Sequence, residues 1–447
     1  MDMSFSAARR LATMCTLFLL PALAGAETLM DIYKLATASD PQLRQAQAAY
    51  RAVAETKTEA RAQLLPQISL GANLTRDRQE YTSISAPFPG FQPTTFYSTT
   101  KGYSLNLTQA LYHHDLFTQV HAADASTAQA QANYQAAQQD LEVRATDRYF
   151  KVLSAVDNLD VAQAQQKANQ HLLEQAQQRF DVGMIAITDV HEAKAAYDLS
   201  VAQEIAAENQ LAIAKEQLRE VTGKFHDSLQ PLKEDVTLPS PEPADVEKWV
   251  DTALKQNYQL IAAQAAVDKA QQDVELNRAG HYPTLDAVAS YGYTNVGAGL
   301  FGGSESNDAT VGLQFSLPLY QGGGTSSRVQ AAVYRLTQAK EALEQQRRAT
   351  DRQARSAYLN VVDAISRINA LKQALVSTQS ALDATQAGYE VGTRTIVDVL
   401  KSQSDLFDAQ RNYSEARYNY IVSSLQLKQS AGMLTPADLE QVNRWLK

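Results

Sequence analysis

The sequence predicts a mainly α-helical chain that also carries four membrane-type β-strands, laid out as two structural repeats. Three observations predict it. Two runs, from His113 to Val182 and from Thr325 to Ala387, hold neither Gly nor Pro, and at 1.5 Å per residue each would reach on the order of 100 Å. Four shorter stretches alternate apolar and polar residues with the period of a strand. Landmarks then recur in register: Gln47-Ala48-Ala49 and Pro66 return as Gln264-Ala265-Ala266 and Pro283, and Gly183, Asp189 and Gly223 return as Gly392, Asp398 and Gly432.

Taken in order, residues 1–26 read as a secretory leader: Arg9-Arg10, an apolar run from Leu11 to Leu23, and a small-residue end at Ala24-Gly25-Ala26. The single cysteine, Cys15, falls inside that leader, so the exported chain depends on packing rather than disulfides. Residues 27–223 form the first repeat. A helical pattern covers Thr28 to Leu65, entered through Ser39-Asp40-Pro41 and ended by Pro66. Ile68, Leu70, Ala72 and Leu74 mark one strand, and Tyr103, Leu105 and Leu107 a second, so that a hairpin spans 66–113 around a loop from about Arg76 to Thr100. The long helix follows, then a turn at 179–190 and a helix that Gly223 closes. Residues 224–243, with Pro231, Pro239, Pro241 and Pro243, are a linking, equatorial segment.

Residues 244–432 repeat the programme. A hairpin spans 283–320, with Leu285, Ala287, Ala289 and Tyr291 on one strand, Val311, Leu313, Phe315, Leu317 and Leu319 on the other, and a Gly-rich loop from Val296 to Asn307. The second long helix, a turn at 388–400 and a last helix complete it, and 433–447 form a C-terminal equatorial segment. Four strands cannot close a barrel by themselves, and none of the helical patterns is apolar enough to cross a bilayer. Any membrane span must therefore be made of strands from several copies. Tyr112 and Tyr320 stand at equivalent strand ends, where an interfacial aromatic belt would lie.

The two turns are versions of one motif. Arg179-Phe180-Asp181-Val182-Gly183 leads into Thr188-Asp189, and Gly388-Tyr389-Glu390-Val391-Gly392 leads through Arg394 into Thr395-Ile396-Val397-Asp398. Gly183 and Gly392 supply the positive φ that stops a helix, and the Thr and Asp residues suit the start of the next. These turns closely resemble the signature hairpins of the TolC family of outer-membrane efflux and secretion channels, and the likeness covers nearly the whole mature chain. It implies a homotrimer in which four strands per protomer close a twelve-stranded barrel, continued by a helical tube through the periplasm of a Gram-negative cell. It also implies a passive duct for drug efflux or type I protein secretion, opened when a periplasmic adaptor and an inner-membrane pump of the RND, MFS or ABC class dock on the tips.

Matched residue by residue, the family's latch at the periplasmic mouth falls on Thr188, Asp189, Tyr389 and Arg394. The same residues would equally serve as helix caps and solvated turn residues. Just past the latch the family carries two acidic rings. Here the first is kept as Asp398, while Lys401 stands at the second, so the lumen ring departs from the pattern. A structural periplasmic coiled coil or an adaptor protein is the alternative reading; an adaptor would need a lipoyl-like β domain between its helices.

Composition excludes other classes. The formal charge of −9 becomes −10 without the leader, and no basic block suits nucleic acid. No nucleophile turn, phosphate loop or metal-spaced helix motif is present, so no enzyme activity, cofactor or metal is expected. The adjacent pair His113-His114 reads as a surface feature of a strand-to-helix junction.

Overall fold

The computed structural model describes residues 26–81, 94–234, 236, 238–299 and 302–447. The leader up to Gly25, with Cys15, lies outside them, as does the centre of the first hairpin loop. The chain runs α1 (Leu29–Ser39), α2 (Pro41–Ala62), β1 (Gln67–Tyr81), β2 (Thr94–His113), α3 (His114–Asp181) and α4 (Ile187–Thr222). It continues with α5 (Val246–Gln256), α6 (Tyr258–Arg278), β3 (Thr284–Gly299), β4 (Gly302–Ser316), α7 (Gly324–Glu390), α8 (Ile396–Ser430) and α9 (Pro436–Asn443).

The first helical pattern is two helices, because Pro41 disfavours helical geometry in the residue before it. Asp40 accordingly adopts φ −61°, ψ 121°, and its carboxylate caps α2 by accepting from the Leu43 amide at 2.7 Å. Asn257 breaks α5 from α6 with nearly the same angles, φ −64° and ψ 121°, and caps through the amides of Gln259 and Leu260. Arg144 on α3 grips Asp40 with both terminal nitrogens at 3.0 Å, a bidentate geometry that fixes the break against the long helix.

One sheet holds the four strands in the order β1-β2-β3-β4, all antiparallel. Its register puts the predicted apolar residues on a single face. Ile68 pairs with Leu107, Leu70 with Leu105 and Ala72 with Tyr103; Leu107 pairs with Ala289 and Leu105 with Tyr291; Ala289 pairs with Val311, Ala287 with Leu313 and Leu285 with Phe315. A bulge between Ala110 and Tyr112 returns Tyr112 to that face, opposite Leu285. The strands are longer than the alternation suggests. β1 continues to Tyr81 and β2 starts at Thr94, so both ends of the expected loop from Arg76 to Thr100 are strand, its centre lying outside the described residues; likewise β3 and β4 take up most of the expected loop from Val296 to Asn307. Backbone pairing persists where the apolar face stops, because a ladder needs only N–H and C=O groups whereas period-2 hydrophobicity reports the apolar surroundings of one face. At the other end β4 stops at Ser316, where its partner begins after Pro283, leaving Leu317, Leu319 and Tyr320 beyond the strand.

No described helix is long and apolar enough to cross a membrane. The helices share a core in a collar around the middle of α3 and α7 and the C-terminal half of α8. Tyr149, Phe150, Leu153, Val361, Tyr420, Ile421 and Leu425 form it with Leu29 and Ile32 of α1, Trp249 of α5 and Leu439 of α9. Fully burying a residue of this size contributes about 1.5–3 kcal/mol, so the collar is where α3 and α8 are held together. Segment 224–243 packs into it: Leu229 bridges to Glu27, Leu232 bridges to Leu446, and the Tyr149 hydroxyl donates to Gln230 O at 2.8 Å.

Candidate functional site at the helical tips

Far from the collar, α3 and α7 end in the same way. Gly183 (φ 77°) follows α3, with Met184 N donating to Arg179 O and Gly183 N to Phe180 O, both at 2.8 Å. Gly392 (φ 81°) follows α7, with Thr393 N donating to Gly388 O at 2.8 Å and Gly392 N to Tyr389 O at 3.2 Å. Each is a Schellman turn that satisfies the last carbonyls of a long helix, and each needs a residue that tolerates positive φ.

The starts of the returning helices differ. Thr395 caps α8 reciprocally: its hydroxyl accepts from Asp398 N, while the Asp398 carboxylate accepts from Thr395 N at 3.0 Å and from its hydroxyl at 2.9 Å. These bonds, and then the positive charges of Arg394 and Lys401, hold the Asp398 carboxyl below the usual carboxylate range. The equivalent cap of α4 is Ala186, which has no side chain to offer, so Thr188 and Asp189 enter the first turn without a capping box. Thr188 is exposed and Asp189 partly so; Lys401 is exposed on the same side of α8 as Asp398.

The tips interlock through apolar side chains. Val190 and Ala193 of α4, Ala176 of α3 and Ile396 of α8 form a small buried cluster, against which Phe180, Ile185 and Tyr389 pack. Tyr389 bridges to a second cluster, Leu382, Val399 and Leu406. Among the described residues of one protomer, no hydrogen bond or ion pair joins Thr188, Asp189, Tyr389 and Arg394 to one another. The Tyr389 hydroxyl is buried without a partner, and so is the Gln403 side-chain nitrogen; both residues line a cleft of about 800 Å³ between α3 and the α7/α8 hairpin.

Three residues beyond the expected set shape this site. Arg179 lays its guanidinium over the Tyr389 ring at 4.7 Å, a cation–π contact that ties one tip to the other. Gly388 makes room for the stem of Arg394, whose Cγ would lie 2.7 Å from a Cβ placed there. Gln403 supplies the buried amide. Arg179 and Gly388 occupy the same place in their respective turns, so the exchange of a long cation for a residue with no side chain was the available signal; for Gln403 there was none.

Elsewhere, Tyr112 lies on the apolar face of the sheet, half exposed. Tyr320 is almost fully exposed and four residues past β4, so the two tyrosines do not stand at equivalent strand ends. His113 lies between Asp286 and Asp115, and His114 packs edge-on against Tyr282. No cluster able to hold a metal ion occurs among the described residues.

A sheet that presents an apolar face across all four strands, mounted on helices of about 100 Å that end in paired turns, defines an outer-membrane channel with a large periplasmic part. The chain belongs to the outer membrane efflux protein family, whose profile matches residues 32–224 and 249–433. It is 38% identical over 438 residues to outer membrane protein TolC of Escherichia coli K12, covering 95% of this chain and 86% of that one. It is 30% identical over 418 residues to the alkaline protease secretion protein AprF of Pseudomonas aeruginosa, covering 93% and 86%. The outer membrane channel CmeC of Campylobacter jejuni has the same fold, with a TM-score of 0.78 over 94% of this chain and 90% of that one at 16% identity. These relatives are channel and secretion proteins rather than enzymes. The protein is accordingly an outer-membrane channel serving efflux and secretion.

Proposed function

We propose that three copies of this chain close one twelve-stranded barrel, continued by a helical tube that forms the passive exit duct of tripartite drug efflux and type I secretion. The observation that carries the reading is the four-stranded sheet, which bears an apolar stretch on the same face of every strand and has β1 and β4 as its two edges. Open edges in hydrocarbon leave backbone groups unsatisfied at several kcal/mol each, and four strands are half the smallest barrel. The matched breaks at Asp40 and Asn257, and the matched turns at Gly183 and Gly392, support two structural repeats. Tyr112 and Tyr320 serve the membrane interface at the periplasmic end of the barrel.

A periplasmic adaptor and an inner-membrane pump of the RND, MFS or ABC class dock on the tips and draw them apart; the energy belongs to the pump. Thr188, Asp189, Tyr389 and Arg394 latch the closed mouth. The unpartnered Tyr389 hydroxyl supports this role, since a buried donor left unsatisfied costs about 1–3 kcal/mol and another copy or a closed arrangement of the hairpins would supply a partner. Asp398 and Lys401 line the mouth as a ring of mixed charge. The reading assigns no catalytic residue and no cofactor.

The barrel is tested by placing a charge on either face. Leu313→Arg should cost roughly 2–4 kcal/mol near the bilayer midplane and deplete the trimer, whereas Gln314→Arg should be tolerated. Equal loss from both, read by heat-modifiable migration of outer-membrane fractions, would remove the strand orientation. The latch is tested in planar bilayers: Arg394→Ser and Tyr389→Phe should raise conductance, and unchanged conductance in both would leave these residues as helix caps only.

A further inference from the structure

Beyond Leu74 the apolar face of the sheet changes character. On β1 the side chains that follow Leu70, Ala72 and Leu74 on that face are Arg76 and Arg78. Across the ladder Leu74 is paired with Lys101, Arg76 with Thr99 and Arg78 with Tyr97. β3 adds Asn295 beside Lys101, and β4 adds Glu305 on the far side of Asn295. Just short of this band Tyr103 and Tyr293 are cross-strand partners and stack, with ring centroids 5.4 Å apart. Tyr103 and Tyr112 bracket about ten residues of β2, the length with which a tilted strand crosses a bilayer. Aromatic girdles flank the apolar band of membrane barrels at both interfaces, so Tyr103 and Tyr293 mark the interface remote from the helices.

The cations beyond that girdle are not neutralised by carboxylates. Arg78 lies 3.9 Å from Glu80, a loose and exposed pair. Arg76 rests over the Tyr97 ring at 5.6 Å and Lys101 is exposed; among the described residues neither forms an ion pair with the protein. Thr99 stands directly across from Arg76, with Lys101 next along the same face of β2. A planar guanidinium, an ammonium and a hydroxyl that converge on one spot are a donor set for a phosphate.

We infer that Arg76, Thr99 and Lys101 form a binding site for the phosphate group of an anionic lipid in the outer leaflet, one site per protomer. The position selects a lipid over free phosphate. Leu74 and the stacked Tyr103 and Tyr293 lead directly from the site into the apolar band, so acyl chains lie along them while the headgroup meets the cations. Glu305 is kept from Lys101 by the intervening Asn295, which leaves the local charge positive. The inference rests on the barrel reading above, because only a closed barrel turns this face toward lipid.

The test is native mass spectrometry of the full-length channel in detergent, with phosphatidic acid or phosphatidylcholine added at equal, sub-saturating concentration, which counts the lipids that stay bound. Wild type should retain phosphatidic acid in preference. A basic residue near an anionic lipid surface contributes about fivefold in affinity, so Arg76→Gln and Lys101→Gln should each lower retention of phosphatidic acid by about that factor. The double variant should retain the two lipids alike. Arg348→Gln, an exposed cation on α7 far from the sheet, is the control and should keep the preference. Ammonium phosphate should displace no more lipid than ammonium acetate of the same ionic strength; greater displacement would assign the site to free phosphate and overturn the inference. Equal retention of both lipids by wild type, or a preference unchanged in the double variant, overturns it as well. A wild-type spectrum of monomers alone would instead strike the barrel reading.

Discussion

The two halves of the chain use the same joints but hold them with different force. In the first half Gly223 (φ 71°) closes α4 beside Ser39, whose Cβ would be 3.5 Å from an added Cβ, a comfortable contact. In the second half Gly432 (φ 73°) closes α8 directly against backbone, and an added Cβ would lie 2.2 Å from Gln256 O. At the tips the difference has the same sense: α8 begins with a complete capping box, while α4 begins at Ala186 with none. The second half is the more tightly built at both ends of its returning helix. The lesson is that repeated landmarks share backbone geometry without sharing constraint, because constraint comes from what each joint touches.

The largest expected effect tests the collar end. Gly432→Ala should destabilise by about 2–5 kcal/mol, combining left-handed strain with a backbone clash, whereas Gly223→Ala should cost only about 1–2 kcal/mol from the strain. Thermal unfolding of the detergent-solubilised protein measures both; equal losses would show that the close approach of Gly432 relaxes easily. A smaller effect tests the tips. Thr395→Ala should cost about 1 kcal/mol of local stability at the start of α8, and Ala186→Thr should add a similar amount to α4 by completing a box with Asp189. Amide hydrogen exchange at the two helix starts checks this, and no slowing at α4 in Ala186→Thr would show that the missing box is not what separates the two starts.

The smallest effect is one of pH. Asp398 has a carboxyl lowered by its cap bonds, so its contribution is present above the ordinary carboxylate pKa and is lost as pH falls through the lowered one. Exchange at the α8 start should accelerate on acidification through that region. The α4 start, which lacks the box, should not follow it; parallel acceleration at both would mean that the tips open as one unit.

Much of this architecture was legible from residue patterns. The absence of breakers from 114 to 181 requires a long helix, alternation at Ile68–Leu74 and Val311–Phe315 requires strands with one apolar face, and Gly183 and Gly392 require the reversals, because these are local consequences of backbone and side-chain sterics. The candidate site was less legible. Asp398 was readable as a cap, since a capping box is a four-residue event, but the contact of Arg179 with Tyr389 joins residues from opposite halves and has no local signature. The extent of the strands was hidden too, because pairing of polar segments such as Arg76–Tyr81 with Thr94–Thr99 is decided by the neighbouring strand.

What the sequence determined by itself is therefore the list of elements, their order and the turns between them, each specified within a few residues by periodicity, capping and φ. Only the tertiary structure decided that the middles of α3 and α7 share one collar with the C-terminal half of α8, that a bulge returns Tyr112 to the apolar face, and that His113 lies between Asp115 and Asp286. Each depends on the spatial meeting of segments far apart in the chain, whose side-chain contacts are set by packing and register rather than by any local preference.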